Sequence, residues 1–451
     1  MTTLSPRGQT AIAKPLRADL ELFFEATENL YDAQDNPDGV FTLCIAENGL
    51  CWPEMESKLR KIAAGPVPDW VASYTNITGA PEMKEAAAGF LGKFLAGGRT
   101  LDPERVACAA GAAAVIEMSA LLLGDRGDVV VIPGPAYMAY TPDFGNIAGM
   151  ERYDLHHLAP PTSPAPVRQA QGPPASAPKT TYALTTADLD RTHADLGDSF
   201  RILLLTQPNN PTGQVYTEDQ LRDFADWCDA RKIHLVVNEI YALSLLDQTH
   251  PDLARDYPEP VPFVSVLGLL EDRKSPYLHW WYAISKDFGL SGLRLGLAYS
   301  HNEDYLKAWG NYGAGSMASN HTQWMLSEVF ADHAWIERFV ATNQARMTES
   351  YATVARTLQR HDVPYAPAAG SLFVWLYLGH LLTAGTEEAE VSLWRDCYEK
   401  TGILLTSPLG MGGPERGWMR LVYSCVDRAT LAVAMERMSN WLTNQAENAE
   451  E

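Results

Sequence analysis

The chain has 451 residues, 46% of them hydrophobic and 20% charged, a balance that excludes disorder over most of its length and leaves room for two or three domains. Its net charge of −21 opposes phosphate backbones and anionic lipid surfaces, which excludes nucleic acid and membrane as natural partners. Six scattered cysteines (Cys44, Cys51, Cys108, Cys228, Cys397 and Cys425) form no CxxC pair and no metal-ligand spacing, so no metal site and no disulfide scaffold is expected. A reducing compartment fits this usage. The N-terminus has no apolar stretch of signal-peptide length and no segment approaches about 18 uninterrupted apolar residues, so the expectation is a cytoplasmic protein.

Leu20, Phe23, Phe24, Leu30 and Tyr31 recur at near-helical spacing and predict an amphipathic helix over 15–35, closed by the turn cluster Asn36-Pro37-Asp38-Gly39. Pro81 at a first helical position predicts a second helix over 81–101. From Gly111 the grammar changes. A helix runs to Leu123, Gly124–Asp128 turns the chain, and Val129-Val130-Val131-Ile132 is a short apolar run stopped by Pro133-Gly134-Pro135. The alternation recurs as a strand at Arg201–Thr206, a helix from about Glu218 to Arg231 and a strand at Ile233–Val237. Near-continuous apolar strands separated by helices predict a mostly parallel sheet covered on both faces, with the site at the carboxyl ends of its strands.

Residues 159–178 hold seven prolines among Ala, Ser and Gln and read as a surface loop, either a plain insertion or a lid over the site. A long helical stretch is predicted from about Trp324 to Arg360. Strand-like text follows at Ser371–Leu376 and Trp418–Tyr423, then a helix over Arg428–Leu442 and an acidic tail, Asn444–Glu451, that is expected to fray. This end of the chain reads as a smaller α+β domain.

Ile284–Gly296 carries the densest chemistry: Lys286 on a Gly-rich turn with Arg294 eight residues on. Lysine forms Schiff bases, and the arginine fork suits phosphate. Three more segments end strands or open helices. Gln207-Pro208-Asn209-Asn210-Pro211-Thr212-Gly213 can aim an asparagine amide, Asn238-Glu239-Ile240-Tyr241 puts polar side chains at a strand end, and Gly111-Ala112-Ala113 opens a helix whose free amides welcome a phosphate.

Together these segments resemble the fold-type I pyridoxal-phosphate enzymes of the class I/II aminotransferase family, and within it the 1-aminocyclopropane-1-carboxylate synthase branch, over about Leu20 to Trp441. The resemblance implies an aspartate aminotransferase-like α/β fold. Its large domain, with a mostly parallel seven-stranded sheet covered by helices, would span 55–320, and both chain ends, 1–54 and 321–451, would build the small α+β domain. It implies pyridoxal 5'-phosphate as cofactor, with Lys286 (the lysine of SxSKxxGxxGxRxG) as its Schiff base and Arg294 on its phosphate. Asn210 and Tyr241 would bind the phenolic oxygen, Tyr137 in Pro133-Gly134-Pro135-Ala136-Tyr137 would stack on the ring, and Arg420 in Gly417-Trp418-Met419-Arg420 would grip the substrate carboxylate. Leu43–Leu50 is similar to the synthase text LAENxL. Its Glu47, with Asn48 beside it, either faces a sulfonium substrate, for which a carboxylate is a natural partner, or makes a local ion pair or cap. Phe373, Trp375 and Trp418 are also similar to that branch, although aromatics at strand spacing are more often core.

The chain departs from the family pattern in three places. Asn238 stands where the family has an aspartate that keeps the ring nitrogen protonated, so the expectation is a weaker electron sink and flux biased away from full amino transfer. Ala283 and Ala113 replace hydroxyl residues of the phosphate cup, leaving Arg294, the amides of Ala112 and Ala113, Ser285 and a tyrosine from a partner subunit. Tyr74, five residues before Gly79, is the candidate; synthases place theirs where this chain has Ile77. A homodimer with sites at its interface is thereby implied.

The function so implied is a pyridoxal-phosphate lyase or transferase acting on an α-amino acid, with S-adenosylmethionine as substrate and loss of methylthioadenosine by ring closure or by γ-elimination and capture in specialised metabolism. An aminotransferase using a 2-oxo acid is the alternative. A non-catalytic pyridoxal-binding regulator is disfavoured, because Lys286 is intact and the family text begins near Leu20.

Overall fold

The computed structural model describes residues 3–13, 19–156, 184–413 and 415–450; the Pro-rich segment 159–178 lies outside them. Seven strands, β1 (Val106–Ala109), β2 (Val129–Pro133), β3 (Glu151–Leu155), β4 (Phe200–Thr206), β5 (His234–Asn238), β6 (Leu278–Ala283) and β7 (Gly296–Ser300), form one sheet in the order β1-β7-β6-β5-β4-β2-β3. β2 and β5 are buried along their whole length, as strands covered on both faces must be. β2, β3, β4, β5 and β6 pair in parallel, and β7 runs against both of its neighbours. The carboxyl ends of β1, β2, β4, β5 and β6 therefore share one edge, and β7 begins there. That reversal is why Arg294, just ahead of β7, arrives at the same edge as Lys286, just after β6.

The helices on this sheet start where the sequence provides caps. Pro81 opens the Pro81–Phe94 helix, and Thr217 with Gln220 forms a capping box at Glu218–Arg231. A second, antiparallel sheet orders β8 (Tyr365–Ala366), β9 (Phe373–Tyr377) and β10 (Trp418–Val422) as β10-β9-β8. Its core takes Phe41, Leu43 and Cys44 from one end of the chain, Met347 through Leu442 from the other, and Ile240, Tyr241, Leu246, Leu253, Tyr257 and Ala283 from between them.

Four local expectations change. The first amphipathic helix is shorter, Leu20–Thr27, because the chain then pairs Leu30 with Val40 and Phe41 with Ile403 and so joins the smaller unit. The 81–101 helix stops at Phe94, before Gly97 and Gly98, both at positive φ. The stretch from Trp324 to Arg360 is two helices, Asn320–Ala331 and His333–Arg360. Asp332 ends the first and caps the second, its carboxylate accepting the Trp335 N–H at 3.1 Å. The last helix runs on through the expected frayed tail to Glu450, anchored where Trp441 and Gln445 both donate to Asp396. Core packing changes along the helices that follow β7. Phe330 stacks on Phe90 of the Pro81–Phe94 helix at 4.5 Å, and Ile336 and Phe339 still belong to the large core, whereas Met347 belongs to the small one. The change-over falls inside the His333–Arg360 helix.

Candidate active site

The floor of the site is the end of β5. Asn238 is buried, its Nδ2 donating to Tyr140 Oη at 2.9 Å and its Oδ1 accepting the Ile240 N–H at 3.2 Å. Thr206, paired with Asn238 across β4 and β5, lies 2.8 Å from the same Tyr140 oxygen. The neighbouring Glu239 is wholly buried and receives Gln207 Nε2, Ser265 Oγ, Val266 N and Trp280 Nε1 at 2.5 to 2.8 Å. Burial raises its pKa against those four donors. The donors tie the Gln207–Gly213 loop to β5 and β6 and so fix where Asn210 stands.

Lys286 follows β6, and its Nζ donates to the Ala46 carbonyl at 2.6 Å. Asp287 is buried beside it and accepts from Leu243 N, Ser244 Oγ and Tyr282 Oη at 2.6 to 3.0 Å. Burial pushes the Asp287 carboxyl up to about 7. These bonds lock the lysine turn to residues 243 and 244, which sets the spacing between Lys286 and Tyr241. The Tyr241 hydroxyl is buried and held protonated by that burial, and Asn210 Nδ2 lies 3.5 Å from it.

The other face of Asn210 accepts from Arg420 Nη1 at 2.7 Å. Arg420 comes from β10, is fully buried, and also donates to Thr406 Oγ1 and the Cys44 carbonyl, both at 3.1 Å, with its guanidinium 4.5 Å from the Phe373 ring centre. Asn210 is thus a bridge between Tyr241 and the arginine of the smaller sheet.

At the other end, Gly111 has φ +94 and caps the Ala112–Leu123 helix, whose first amides belong to Ala112 and Ala113. A Cβ at Gly111 would overlap the Arg294 guanidinium. Arg294, itself at φ +53, donates to Ser291 O at 2.9 Å and Ala110 O at 3.4 Å, so a cation sits over a helix N-terminus. Both features favour a bound phosphate. Ser285, the residue before Lys286, is buried, and Tyr137 meets Tyr140 edge to face at 5.5 Å.

The remaining predicted residues fall as follows. Glu47 is exposed and follows Ala46, the acceptor of Lys286; its own carbonyl accepts from Ser424 Oγ at 2.7 Å. Asn48 Nδ2 lies 3.3 Å from the Lys286 carbonyl and 3.0 Å from Asn343 Oδ1, so its side chain is spent on holding the lysine's main chain. Tyr74 stands fully exposed. Trp375 and Trp418 stack on each other at 5.8 Å in a cluster with Met138 and Met411.

Sequence reasoning missed Tyr140, Thr206, Thr406 and the carbonyls of Cys44 and Ala46. Tyr140, three residues past Tyr137, carried a signal, whereas Thr206 is placed by strand register. Main-chain carbonyls carry none. The edge matches pyridoxal phosphate in its donor set: an amine, a cation over a helix N-terminus that only glycine permits, and the Asn210 amide beside the Tyr241 phenol.

The chain belongs to the class I and II aminotransferase family, whose family model it matches over residues 68–438. It is accordingly an enzyme of a pyridoxal 5'-phosphate-dependent class, with that cofactor. Among curated proteins it is 26% identical over 427 residues to 1-aminocyclopropane-1-carboxylate synthase 7 of Arabidopsis thaliana, covering 92% of this chain and 90% of that one. Similarity to synthase 4 of Oryza sativa subsp. japonica is 29% over 450 residues, 92% and 84% of the two chains. A relative from Mus musculus, 28% identical with 98% and 72% covered, is named a probable inactive synthase-like protein. Its fold is shared with an aspartate aminotransferase mutant of Thermus thermophilus at a TM-score of 0.74 and 20% identity, over 98% of this chain and all of that one. Among the described residues no three potential metal ligands cluster, and no helix is long and apolar enough to cross a membrane.

Proposed function

We propose that the enzyme acts on S-adenosylmethionine and releases methylthioadenosine. The observation that carries this reading is the course of residues 44–47 over the site. The Cys44 carbonyl meets Arg420, the Ala46 carbonyl meets Lys286, and the exposed Glu47 follows Ala46 directly in the chain. A carboxylate there is the natural partner of a sulfonium cation. Similarity to two plant proteins named 1-aminocyclopropane-1-carboxylate synthases supports the same reading.

In this assignment Arg420 binds the substrate α-carboxylate with the fork that Asn210 and Thr406 orient. Lys286 holds the cofactor, and once freed its Nζ takes the proton from Cα. Arg294, the amides of Ala112 and Ala113 and the Ser285 hydroxyl hold the phosphate. Asn210 and Tyr241 would hold the phenolic oxygen, Tyr137 would cover the ring, and Asn238 would meet the ring nitrogen. The cofactor supplies the electron sink for the bond cleaved at Cα. Loss of methylthioadenosine breaks the Cγ–S bond with its electron pair leaving on sulfur, and either Cα closes onto Cγ or a second substrate takes the fragment. Tyr74 completes the phosphate site from a partner subunit in a homodimer. Coexpressing Lys286→Ala with Tyr74→Ala then restores one working site per mixed dimer; no restoration removes Tyr74 from the site.

The test is to mix purified holoenzyme with S-adenosylmethionine, record the cofactor spectrum and identify products by mass. Methylthioadenosine is expected. The family match favours one second reading, transfer of the amino group to a 2-oxo acid; pyridoxamine phosphate without methylthioadenosine would establish that reading and sink the first.

A further inference from the structure

Two fixed donors decide which way round the Asn238 amide sits. The Ile240 main-chain N–H can only donate, so the Asn238 atom facing it at 3.2 Å is the oxygen. The nitrogen is therefore the atom facing Tyr140 Oη at 2.9 Å. Because Nδ2 only donates, the tyrosine oxygen accepts from it, and Thr206 Oγ1, at 2.8 Å, is the acceptor within reach of the tyrosine's own hydrogen. Burial pushes the Tyr140 hydroxyl up to about 12, so that hydrogen stays in place at neutral pH. All three side chains are buried. The result is a one-way line of donation, Asn238 to Tyr140 to Thr206.

The line has a sense that an aspartate would reverse. A carboxylate at 238 could only accept, so Tyr140 would donate to it and an anion would occupy the end of β5. With asparagine, Oδ1 is turned back to its own main chain, while Nδ2 faces Tyr140, whose ring meets that of Tyr137 edge to face, and has a second hydrogen beyond the one given to Tyr140. A donor meets an unprotonated ring nitrogen with a hydrogen bond and a protonated one with a clash of hydrogens.

We propose that Tyr140 and Thr206 are positioning residues that hold the Asn238 amide with an N–H toward the cofactor, so that the cofactor's ring nitrogen is bound unprotonated. This rests on the reading of Asn238 as the residue at that nitrogen. It follows that the weak sink expected from the substitution is a built feature of the site, with a buried tyrosine and threonine maintaining it.

The experiment is nitrogen NMR of holoenzyme reconstituted with cofactor labelled with nitrogen-15 in the ring, on the wild type, Asn238→Asp and Tyr140→Phe. The wild type should resonate as an unprotonated pyridine, Asn238→Asp should move to the protonated position, and Tyr140→Phe should broaden or shift the wild-type signal as the amide loses its lock. A protonated wild-type resonance overturns the proposal. A wild-type resonance unchanged in Tyr140→Phe, with only a lower melting temperature, overturns the positioning role. If Asn238→Asp stays at an unprotonated wild-type position, Asn238 does not face the ring nitrogen, and it is the underlying site assignment that fails. Should Asn238→Asp not fold, the other two spectra still decide.

Discussion

Replacing Gly111 by alanine tests the phosphate end of the site in a way that separates backbone from side chain. Gly111 combines φ +94 with ψ 175, a conformation that only glycine adopts readily, and an alanine Cβ there would overlap the Arg294 guanidinium. The backbone strain should cost roughly 1–3 kcal/mol of stability, visible in urea unfolding of the apoprotein. The displaced guanidinium should lose a charge-assisted hydrogen bond to phosphate worth roughly 1.5–3 kcal/mol. Cofactor dissociation constants, read by titrating apoprotein and following absorbance, should then rise about tenfold to a hundredfold. Arg294→Ala alone should lower affinity without the strain. Because the Cβ acts through Arg294, the double variant should lose little more affinity than Arg294→Ala by itself. Wild-type affinity in Gly111→Ala, or fully additive losses in the double variant, would refute the reasoning.

Arg420→Lys replaces a fork that reaches Asn210, Thr406 and Cys44 with a single ammonium, and should weaken amino-acid binding roughly tenfold to a hundredfold in spectral titrations while leaving cofactor affinity near wild type. The buried pair His234 and His279, 3.0 Å apart, is held neutral by burial, His234 down to about 4. Each ring titrates near 6.5 when unfolded, so below that pH the unfolded chain binds more protons and the fold loses about 1.4 kcal/mol per pH unit per ring until the folded pKa is reached. Urea unfolding between pH 7 and 5 should show that slope, and His234→Gln should reduce it; a flat profile would contradict the burial argument. Asp332→Ala removes the cap between two helices and the Lys58 ion pair at 2.8 Å, and should lower stability by about 1 kcal/mol with cofactor affinity unchanged.

How much of this was legible in the sequence depends on where each contact's information is carried. Lys286, Arg294, Asn210, Asn238 and Tyr241 stand in short strings that end or follow strands, and strand ends on one edge of a parallel sheet converge by topology alone. The family match extends that reading to the fold. Contacts made by register were hidden: Thr206 meets the Asn238 neighbourhood because β4 and β5 pair at that residue, and no local string announces it. Contacts made by main-chain oxygens were hidden more deeply, since Cys44 and Ala46 act through atoms every residue owns. The helix break at Asp332 was obscured because apolar periodicity continues across it, while the competing carboxylate cap decides the outcome.

Charge gives these pieces a common logic. The chain carries an excess of 21 negative charges, yet the three cations of the site, Lys286, Arg294 and Arg420, meet carbonyls, an amide oxygen and a hydroxyl in the contacts described above. Neutral acceptors orient a cation without cancelling its charge, so the attraction of Arg294 for an arriving phosphate is kept by the carbonyls of Ser291 and Ala110. The same principle governs the floor, where an amide has replaced a carboxylate and a tyrosine donates away from it. Nearby acids are spent elsewhere: Glu239 on four donors and Asp287 on three. In the proposed function Glu47, exposed and next in the chain after the acceptor of Lys286, meets the cationic substrate, so its replacement by glutamine should lower affinity for S-adenosylmethionine more than for a neutral amino acid such as methionine.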